Sequence, residues 1–233
     1  MRNINKQKAR PPVLSKRLQA IADFVDDSGV VADIGCDHAY LAIYLAMKKS
    51  DLVYAVDINE KPLSRARNNI QRYCVLDKVK LILSDGLKNV PHSVNTVIIS
   101  GIGGKLISKI IFSEHWLKDS KKHLILQPQT FLPMLREDLY LNGFEIEDEM
   151  PVVETKRSYC VISARYTGNV KKISIKQAVL GKLAKYDTAE ANEFLKRQYA
   201  SYDKALKGLK LSWLDKQKIN TYMQICNILS KWV

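Results

Sequence analysis

Residues 30–41 read VVADIGCDHAYL, and the organisation of the chain can be worked out from this segment. The apolar run Val30 to Ile34 predicts a buried strand that stops at Gly35, followed by a helix over about 39–48. Such a turn directs backbone N–H groups and a helix N-terminus towards a ligand. The aspartates at 33 and 37 disfavour a pyrophosphate in direct contact, because two anions would face each other. They favour a ligand that presents cations or hydroxyl groups, and S-adenosylmethionine presents both.

Short β-branched runs alternate with helical segments through the first two thirds of the chain. This alternation predicts an α/β fold with a doubly wound, Rossmann-like sheet. The preference for S-adenosylmethionine at the first turn makes the class I methyltransferase type of that sheet the expected one. In such sheets a ligand binds beyond the carboxyl ends of the strands. The predicted strands are 30–34, 52–57, 79–83, 96–99, 123–126, 144–150 and 159–166, and the predicted helices are 14–26, 39–48, 61–73, 105–112 and 131–142.

The last part of the chain follows a different pattern. After residue 167 a helix is predicted over 175–186, and then two long antiparallel helices with a heptad-like seam. Gly208 is predicted to end the first long helix, and Ser212 with Asp215 to begin the second as a capping box. The expected seam residues are Ala191, Leu195, Gln198, Tyr202, Ala205 and Leu209 on the first helix, and Ile219, Tyr222, Cys226, Leu229 and Val233 on the second.

These patterns predict two domains. Residues 1–167 are expected to form a catalytic domain that binds S-adenosylmethionine, with a basic arm and helix at 1–28. Residues 168–233 are expected to form a basic coiled-coil domain. A dimerisation coiled coil is the alternative for the second domain, although we expect a monomer.

Composition restricts the class of protein. Hydrophobic residues make up 46% of the 233, which indicates a globular chain. No apolar run is long enough for a membrane span, and the N-terminus lacks the apolar core of a signal peptide. The four cysteines are isolated, which disfavours a disulfide framework or a zinc site. We therefore expect a cytoplasmic protein without a metal ion.

The net charge of +13 is concentrated towards the two ends of the chain. Residues 1–20 hold six Lys and Arg and no acid, and 168–233 hold thirteen against five acids, whereas 21–167 hold eighteen against nineteen. This distribution indicates an enzyme core with attachments that bind nucleic acid, although lysine-rich faces that only contact solvent are the alternative. The basic residues expected to contact RNA are Lys6, Lys8, Arg10, Lys16, Arg17, Lys196, Arg197, Lys204, Lys207 and Lys210.

Carboxylates at the ends of the first three predicted strands suit an adenosine cofactor. Asp57 can accept hydrogen bonds from both ribose hydroxyls, Asp33 can hold the methionine ammonium, and Asp85 can bind the adenine amino group. An NAD enzyme would also place an acid after strand two, but the first turn lacks the G-x-G-x-x-G pattern. The predicted cofactor residues are Asp33, Gly35, Cys36, Asp37, His38, Ala39, Tyr40, Asp57, Ile58, Asn59, Ser84, Asp85, Gly86, Gly101, Ile102 and Gly103.

The segment SGIGG at residues 100–104 follows strand four, where the acceptor of the methyl group is expected. Its glycines permit close approach of a ligand to the backbone, and they also suit a tight strand-to-helix turn. We expect Ser100 and Gly101 to position the acceptor, with help from Gln127 after strand five.

Four motifs together resemble the bacterial TrmK family. They are SKRL at 15–18, DIGCDHAYL at 33–41, GIGG at 101–104 and LILQP at 124–128. The resemblance covers essentially the whole chain, with Cys36 and Gln129 where serine and asparagine are common in the family. It implies methylation of N1 of adenosine 22 in tRNA with S-adenosylmethionine. Neutral N1 carries its own lone pair, so direct in-line attack requires positioning rather than a base, once the adenosine is unpaired or flipped out.

Other interpretations remain open on the residues alone. The chain can be a methyltransferase acting on another RNA site, on protein or on a small molecule, or a non-catalytic RNA-binding module. An NAD-dependent oxidoreductase is a further alternative. Locally, Asp37 and His38 can cap the helix that follows instead of contacting a ligand.

Overall fold

The computed structural model of the protein describes residues 10–212 and 215–232, apart from the side chains of residues 210–212. Contacts divide the chain into two compact units, Met1–Ser100 and Gly101–Val233. No helix within the described ranges combines the length and apolar character needed to cross a bilayer.

Seven strands form one mixed sheet. The strands are β1 (Val30–Ile34), β2 (Leu52–Asp57), β3 (Val79–Leu83), β4 (Thr96–Ile102), β5 (His123–Pro128), β6 (Phe144–Val153) and β7 (Ser158–Tyr166). Their order is β3-β2-β1-β4-β5-β7-β6. β1 pairs in parallel with β2 and β4, β2 pairs in parallel with β3, and β7 pairs antiparallel with β5 and β6. The α/β prediction is confirmed.

Eight α-helices accompany the strands in the described part of the chain. They are α1 (Lys16–Asp23), α2 (Tyr40–Lys48), α3 (Glu60–Arg72), α4 (Gly104–Phe112), α5 (Leu132–Leu141), α6 (Ile175–Leu180), α7 (Ala189–Ser212) and α8 (Lys216–Leu229). The predicted bounds of β1, β2 and β3 are confirmed, whereas β4 and β5 extend past their predicted ends, to Ile102 and Pro128.

β1 is the buried centre of the first unit. Val31 lies opposite Val53 on β2 and Thr96 on β4, so the strand is paired along both edges. A strand paired on both edges and covered by helices reads as a continuous apolar run, as this one does. Its burial continues through Asp33 and Ile34, and a carboxylate is therefore held at a buried strand end.

In the second unit β6 and β7 form a long antiparallel hairpin. Its register runs from Phe144 opposite Tyr166 to Val153 opposite Ser158, with a bulge between Ile146 and Asp148. At the open end, the rings of Phe144 and Tyr166 pack edge to face with centroids 5.3 Å apart. The closed end is the loop formed by residues 154–157.

The C-terminal helices differ from the prediction at three points. The predicted helix at 175–186 stops at Leu180 and continues as a 3₁₀ segment, Gly181–Lys185. Gly208 does not end a helix, because α7 runs through it to Ser212. Ser212 therefore does not begin α8, which is capped by Asp215, whose side chain accepts a hydrogen bond from the Lys218 N–H. A single glycine weakens a helix by only about 1 kcal/mol, which packing readily overcomes.

The predicted seam between α7 and α8 is confirmed in part. Tyr202 and Tyr222 pack edge to face with ring centroids 5.2 Å apart, as a seam requires. The predicted seam residue Leu229 is buried. Ala205, however, is exposed and its neighbour Leu206 is buried, and on α8 Ile225 is buried whereas Cys226 is only half-buried. A strict heptad therefore does not describe these helices, and the seam residue Val233 lies outside the described residues.

A buried ion pair connects α5, β6 and α6. Arg136 and Glu149 both have 0% exposed side chains, and the Arg136 Nε donates to the Glu149 Oε1 at 2.7 Å. The Arg136 Nη1 donates to the carbonyls of Ala178 and Val179 at 2.8 and 2.7 Å. The second carboxylate oxygen of Glu149 accepts the Lys182 N–H at 2.5 Å. Both charges are therefore neutralised and hydrogen-bonded inside the second unit.

Gly181 is required by this ion pair. It has a φ of +54°, and a Cβ at this position would collide with the Glu149 Oε2 and the Arg136 Nε. A side chain would therefore displace the groups that compensate each other's charge. This close approach explains a glycine between α6 and the 3₁₀ segment.

We expect Arg136→Met to lower the free energy of unfolding by about 3–5 kcal/mol, because it leaves Glu149 buried without its cation. The matched control is Lys171→Met, which breaks the half-exposed pair between the Lys171 Nζ and the Glu145 Oε2 at 2.7 Å. That change should cost less than about 1 kcal/mol, since water screens the pair. Denaturant unfolding followed by fluorescence measures both, and equal losses would contradict the assigned role of Arg136.

Candidate active site

The turn after β1 has an unusual backbone. Gly35, Asp37 and Ala39 have φ values of +78°, +49° and +58°, so three of five consecutive residues are in the left-handed region. For residues with a side chain this conformation costs free energy and clusters at ligand sites. A Cβ built on Gly35 meets no atom within 4 Å, so open space lies beside this residue.

Two N–H groups of this turn are not available to a ligand. Those of Gly35 and Cys36 both donate to the Val56 carbonyl, at 2.8 and 3.0 Å. The expectation that the turn presents its N–H groups therefore fails for these two residues. Burial, followed by the nearby charges of Asp33 and Asp57, raises the pKa of the Cys36 thiol, which keeps it protonated and unreactive.

Asp37 and His38 do not cap α2. The N-cap position is Ala39, which makes no side-chain capping bond. Asp37 is exposed, and its Oδ2 lies 3.6 Å from the His38 Nε2. The His38 carbonyl accepts a hydrogen bond from the Asn69 Nδ2 at 2.9 Å, and this contact holds the turn against α3.

Asp33 and Asp57 end β1 and β2 with little exposure, 3% and 9% respectively. Burial raises the pKa of Asp33 to about 7, with the charge of Arg17 lowering it and that of Asp57 raising it further. The Asp57 Oδ1 accepts the Asn59 N–H at 2.9 Å. The charge of Asp57 therefore acts on Asp33, as expected for acids at adjacent strand ends.

The end of β3 supplies a more exposed group. The Ser84 Oγ accepts the Asn89 N–H at 3.1 Å, so this buried side chain holds the turn that follows. Asp85 is exposed and pairs with the Lys88 Nζ at 2.6 Å. An adenine amino group at Asp85 would therefore share that carboxylate with Lys88. Gly86 has a φ of +63°, and Ile58 and Tyr40 are exposed apolar surfaces in the same unit.

In the second unit the glycine turn is braced by β5. Gly101 has a φ of +81°, and its N–H donates to the Oε1 of the fully buried Gln127 at 3.2 Å. The Gln127 Nε2 donates to the Pro128 carbonyl at 2.9 Å, and the Gln129 N–H donates to the Ile102 carbonyl at 2.8 Å. Gln127 therefore positions the turn and does not reach out as a contacting side chain.

The close approach of the backbone after β5 explains why residue 104 is a glycine. A Cβ there would lie 2.8 Å from the Thr130 carbonyl oxygen and 2.9 Å from that of Phe131. Its N–H donates to the same Thr130 carbonyl at 2.9 Å, which seats the start of α4 on the segment after β5. The tight-turn explanation thus holds for this glycine, whereas Gly101 and Gly103 are half-exposed.

The predicted RNA contacts are only partly free surface. Lys16, Lys196 and Lys204 are exposed, as is Arg10. Lys207 pairs with Asp203 on the same helix at 2.7 Å. The charge of Arg17 acts on Asp33 within the first unit, and Arg197 binds Glu193. Lys6 and Lys8 lie outside the described residues, as does the side chain of Lys210.

Asn69 and Arg17 were not identified as parts of this site from the sequence. Asn69 is a half-buried polar residue beside the apolar stripe of α3, which includes Ala66 and Ile70. A polar side chain on a buried stripe is a usable signal, although its partner is not visible in the sequence. The described residues contain no group of three or more His, Cys, Asp and Glu side chains that could hold a metal ion.

Comparison with known proteins places this chain in a family. Residues 14–162 match the family described as a methyltransferase domain. A putative tRNA methyltransferase of Mycoplasma genitalium is 30% identical over 175 residues, which are 72% of this chain and 77% of that protein. The tRNA (adenine(22)-N(1))-methyltransferase of Bacillus subtilis is 32% identical over 153 residues. The chain belongs to the TrmK family.

The match to the Bacillus subtilis member of the TrmK family covers 65% of this chain and 64% of that protein, slightly less than two thirds. A solved structure extends the likeness further. A putative tRNA (m1A22) methyltransferase of Streptococcus pneumoniae, in complex with S-adenosyl-L-methionine, superposes with a TM-score of 0.78 at 26% identity. That likeness covers 92% of this chain and 100% of the other. The predicted family and the predicted methyltransferase fold are confirmed.

We expect Asp33→Asn to stabilise the protein without cofactor increasingly as the pH rises. The unfolded carboxyl ionises near its ordinary pKa of 3.8, but the folded one does so at about 7. Wild-type stability therefore falls between these values and levels off above them. The advantage of Asp33→Asn should grow by up to about 1.4 kcal/mol per pH unit towards pH 7.

Denaturant unfolding at pH 5, 6, 7 and 8 measures this difference. The matched control is Asp77→Asn at an exposed aspartate, which should show no such trend. A pH-independent difference between Asp33→Asn and wild type would contradict the raised pKa.

Proposed function

We propose that this chain transfers the methyl group of S-adenosylmethionine to N1 of adenosine 22 in tRNA. The observation that carries the proposal is the pair of buried carboxylates, Asp33 and Asp57, at adjacent strand ends of a TrmK-family chain. These are acceptor groups only, when ionised, and they suit the hydroxyls and the ammonium of this cofactor. A cytoplasmic monomer is part of the proposal.

The residues present fit the cofactor. Asp57 uses one carboxylate oxygen for the Asn59 N–H and keeps lone pairs on both oxygens for the two ribose hydroxyls. Asp33, at the end of the neighbouring strand, holds the ammonium. The open space beside Gly35 admits the ligand next to the strand end. When bound, S-adenosylmethionine supplies a methyl group on a cationic sulfur, which the lone pair of adenine N1 attacks in line.

The remaining residues position the acceptor. Gln127 fixes Gly101 by a hydrogen bond, which orients the neighbouring backbone carbonyls. In our proposal the Ser100 and Gly101 carbonyls accept hydrogen bonds from the exocyclic amine of adenine. Because N1 needs no deprotonation, the contribution of these groups is alignment and exclusion of water rather than base catalysis. Carbonyl dipoles also favour the positive charge that develops on the adenine.

The raised pKa of Asp33 has a consequence for cofactor binding. A cationic ammonium favours the ionised carboxylate, so binding removes the proton that burial retains near neutral pH. Cofactor affinity in the wild-type protein should therefore rise between pH 6 and pH 7.5. Near neutral pH the ionised Asp33 carboxylate lowers the stability of the ligand-free protein relative to Asp33→Asn. The ammonium of the cofactor compensates for this cost when it binds.

The proposal is tested with unmodified tRNA transcript, S-adenosylmethionine and the full chain. We expect one methyl group per tRNA, located by mass spectrometry on adenosine 22, and none on a transcript with guanosine at that position. Methylation of another nucleotide or of protein would replace the proposed substrate. Binding of tRNA without any methyl transfer would favour the non-catalytic interpretation.

We expect Asp57→Ala to weaken S-adenosylmethionine binding about 100-fold, because two hydrogen bonds to a charged group are lost at about 1.5 kcal/mol each. Titration calorimetry measures the affinity, with exposed Asp77→Ala as the matched control of equal charge change. Unchanged affinity in Asp57→Ala would show that the assignment of the ribose site is wrong.

A further inference from the structure

The second unit contains a polar cleft. It has a volume of about 440 Å³ and is formed by the β6–β7 loop, the middle of α7 and the segment after β5. We call it the hairpin cleft. Its lining residues are Gln129, Lys156, Arg157, Ser158, Tyr159, Arg197, Gln198, Ala200 and Ser201.

The lining of the hairpin cleft is cationic and rich in hydrogen-bond donors. Lys156 and Arg157 are exposed at the tip of the β6–β7 hairpin. Within the described part of the chain, neither has a carboxylate at ion-pair distance, and no acid is among the residues that line the cleft. Serine and glutamine side chains, which can donate hydrogen bonds to anionic oxygens, also line the cleft. The cleft therefore suits an anionic ligand with several oxygens.

Arg197 fixes the position of the hairpin tip. Its Nη1 donates to the carbonyls of Glu154 and Arg157, at 2.8 and 3.2 Å, and its Nε donates to the Glu193 Oε1 at 2.6 Å. The loop is also closed by the Glu154 N–H, which donates to the Arg157 carbonyl at 2.9 Å. Glu193 largely neutralises Arg197, so its main contribution is to attach the loop to α7.

The hairpin cleft adjoins the glycine turn through one residue. Gln129 lines the cleft, and its N–H donates to the Ile102 carbonyl at 2.8 Å. Ile102 follows Gly101, the residue that Gln127 braces. A ligand in the cleft is thus held a short distance from the place where the methyl acceptor is proposed to bind.

We propose that the hairpin cleft binds the phosphate–ribose backbone of the tRNA strand that carries the target adenosine. This inference rests on the proposed function, since that function supplies the substrate. Lys156 and Arg157 bind phosphates, while Ser158, Gln198 and Ser201 donate hydrogen bonds to phosphate or ribose oxygens. Contacts of this kind fix the register of a nucleic acid without reading its sequence. The cleft thereby holds the strand while the adenosine leaves its helix.

We expect the double variant Lys156→Ala/Arg157→Ala to weaken tRNA binding about tenfold or more at moderate salt. The slope of log affinity against log salt should fall in magnitude by about 2, because two phosphate contacts are lost. Affinity for S-adenosylmethionine should be unchanged, since neither Lys156 nor Arg157 is among the predicted cofactor residues. Filter binding at several salt concentrations measures the tRNA affinity.

The matched control removes the same charge from the other end of β5. Lys118 and Lys121 are exposed and precede that strand, whereas Gln129 follows it. The variant Lys118→Ala/Lys121→Ala should leave the salt slope nearly unchanged. Equal slopes in the two double variants would overturn the proposal, because tRNA binding would then depend on the net charge of the protein and not on the cations of the hairpin cleft.

A second pair of variants tests the positioning role of Arg197. Lys at this position keeps the charge but cannot form the same planar set of bonds to Glu193 and two carbonyls. Arg197→Lys should therefore weaken tRNA binding as Arg197→Ala does, with cofactor affinity and the unfolding midpoint near wild type. Wild-type tRNA affinity in Arg197→Lys would overturn the positioning role.

Failure of this inference is distinguishable from failure of the proposed function. The wild-type chain is assayed for methylation of adenosine 22 with the same transcript used for binding. If adenosine 22 is methylated but the two double variants have equal salt slopes, only the proposal that the hairpin cleft binds the RNA backbone is overturned. Absence of methylation overturns the proposed function, and the difference between the two double variants still decides whether the cleft binds the RNA backbone.

Discussion

A guanidinium with no exposure must use its donors inside the protein, and Arg136 uses them on Glu149 and on two carbonyls at the end of α6. The start of the C-terminal region is therefore attached to α5 and β6 by charge-assisted hydrogen bonds. Removing residues after 170 would leave this ion pair without its carbonyl partners. A truncated chain would thus combine lost RNA contacts with a damaged core, and point variants separate the two effects.

In the first unit, by contrast, the nearby charge of Arg17 does not offset the burial of Asp33. Asp33 and Asp57 lie at the ends of buried strands, and burial raises the pKa of Asp33 to about 7. Two left-handed residues with side chains, Asp37 and Ala39, add backbone strain in the following turn. Neither the raised pKa nor the strained turn stabilises the folded protein. Both are consistent with a site whose unfavourable terms are offset when a cationic ligand binds.

Local sequence patterns predict those features of the fold that are determined by residues close together in the chain. The bounds of β1, β2 and β3 follow from short apolar runs bounded by turns, and the acids at their ends follow from the same pattern. The prediction that Gly208 ends a helix is wrong, because α7 continues through it. Helix propensity does not show that packing along the helix outweighs the cost of one glycine. The contacts Arg136–Ala178 and Asn69–His38 join residues 42 and 31 positions apart, which no local pattern encodes.

Net charge by segment also conceals where a polyanion can bind. Residues 21–167 are close to neutral, yet they contain the two cations of the hairpin cleft. The reason is that the acids of β6, the strand before this cleft's loop, are paired inside the second unit. Four acids of β6 each pair with a base elsewhere in the second unit: Glu145 with Lys171, Glu147 with Arg165, Asp148 with Lys185 and Glu149 with Arg136. The first half of β6 is acidic and the loop that follows the strand is basic. The acids of β6 are paired inside the second unit, whereas Lys156 and Arg157 are exposed. A folded chain can therefore present a cationic site from a segment whose average charge predicts none.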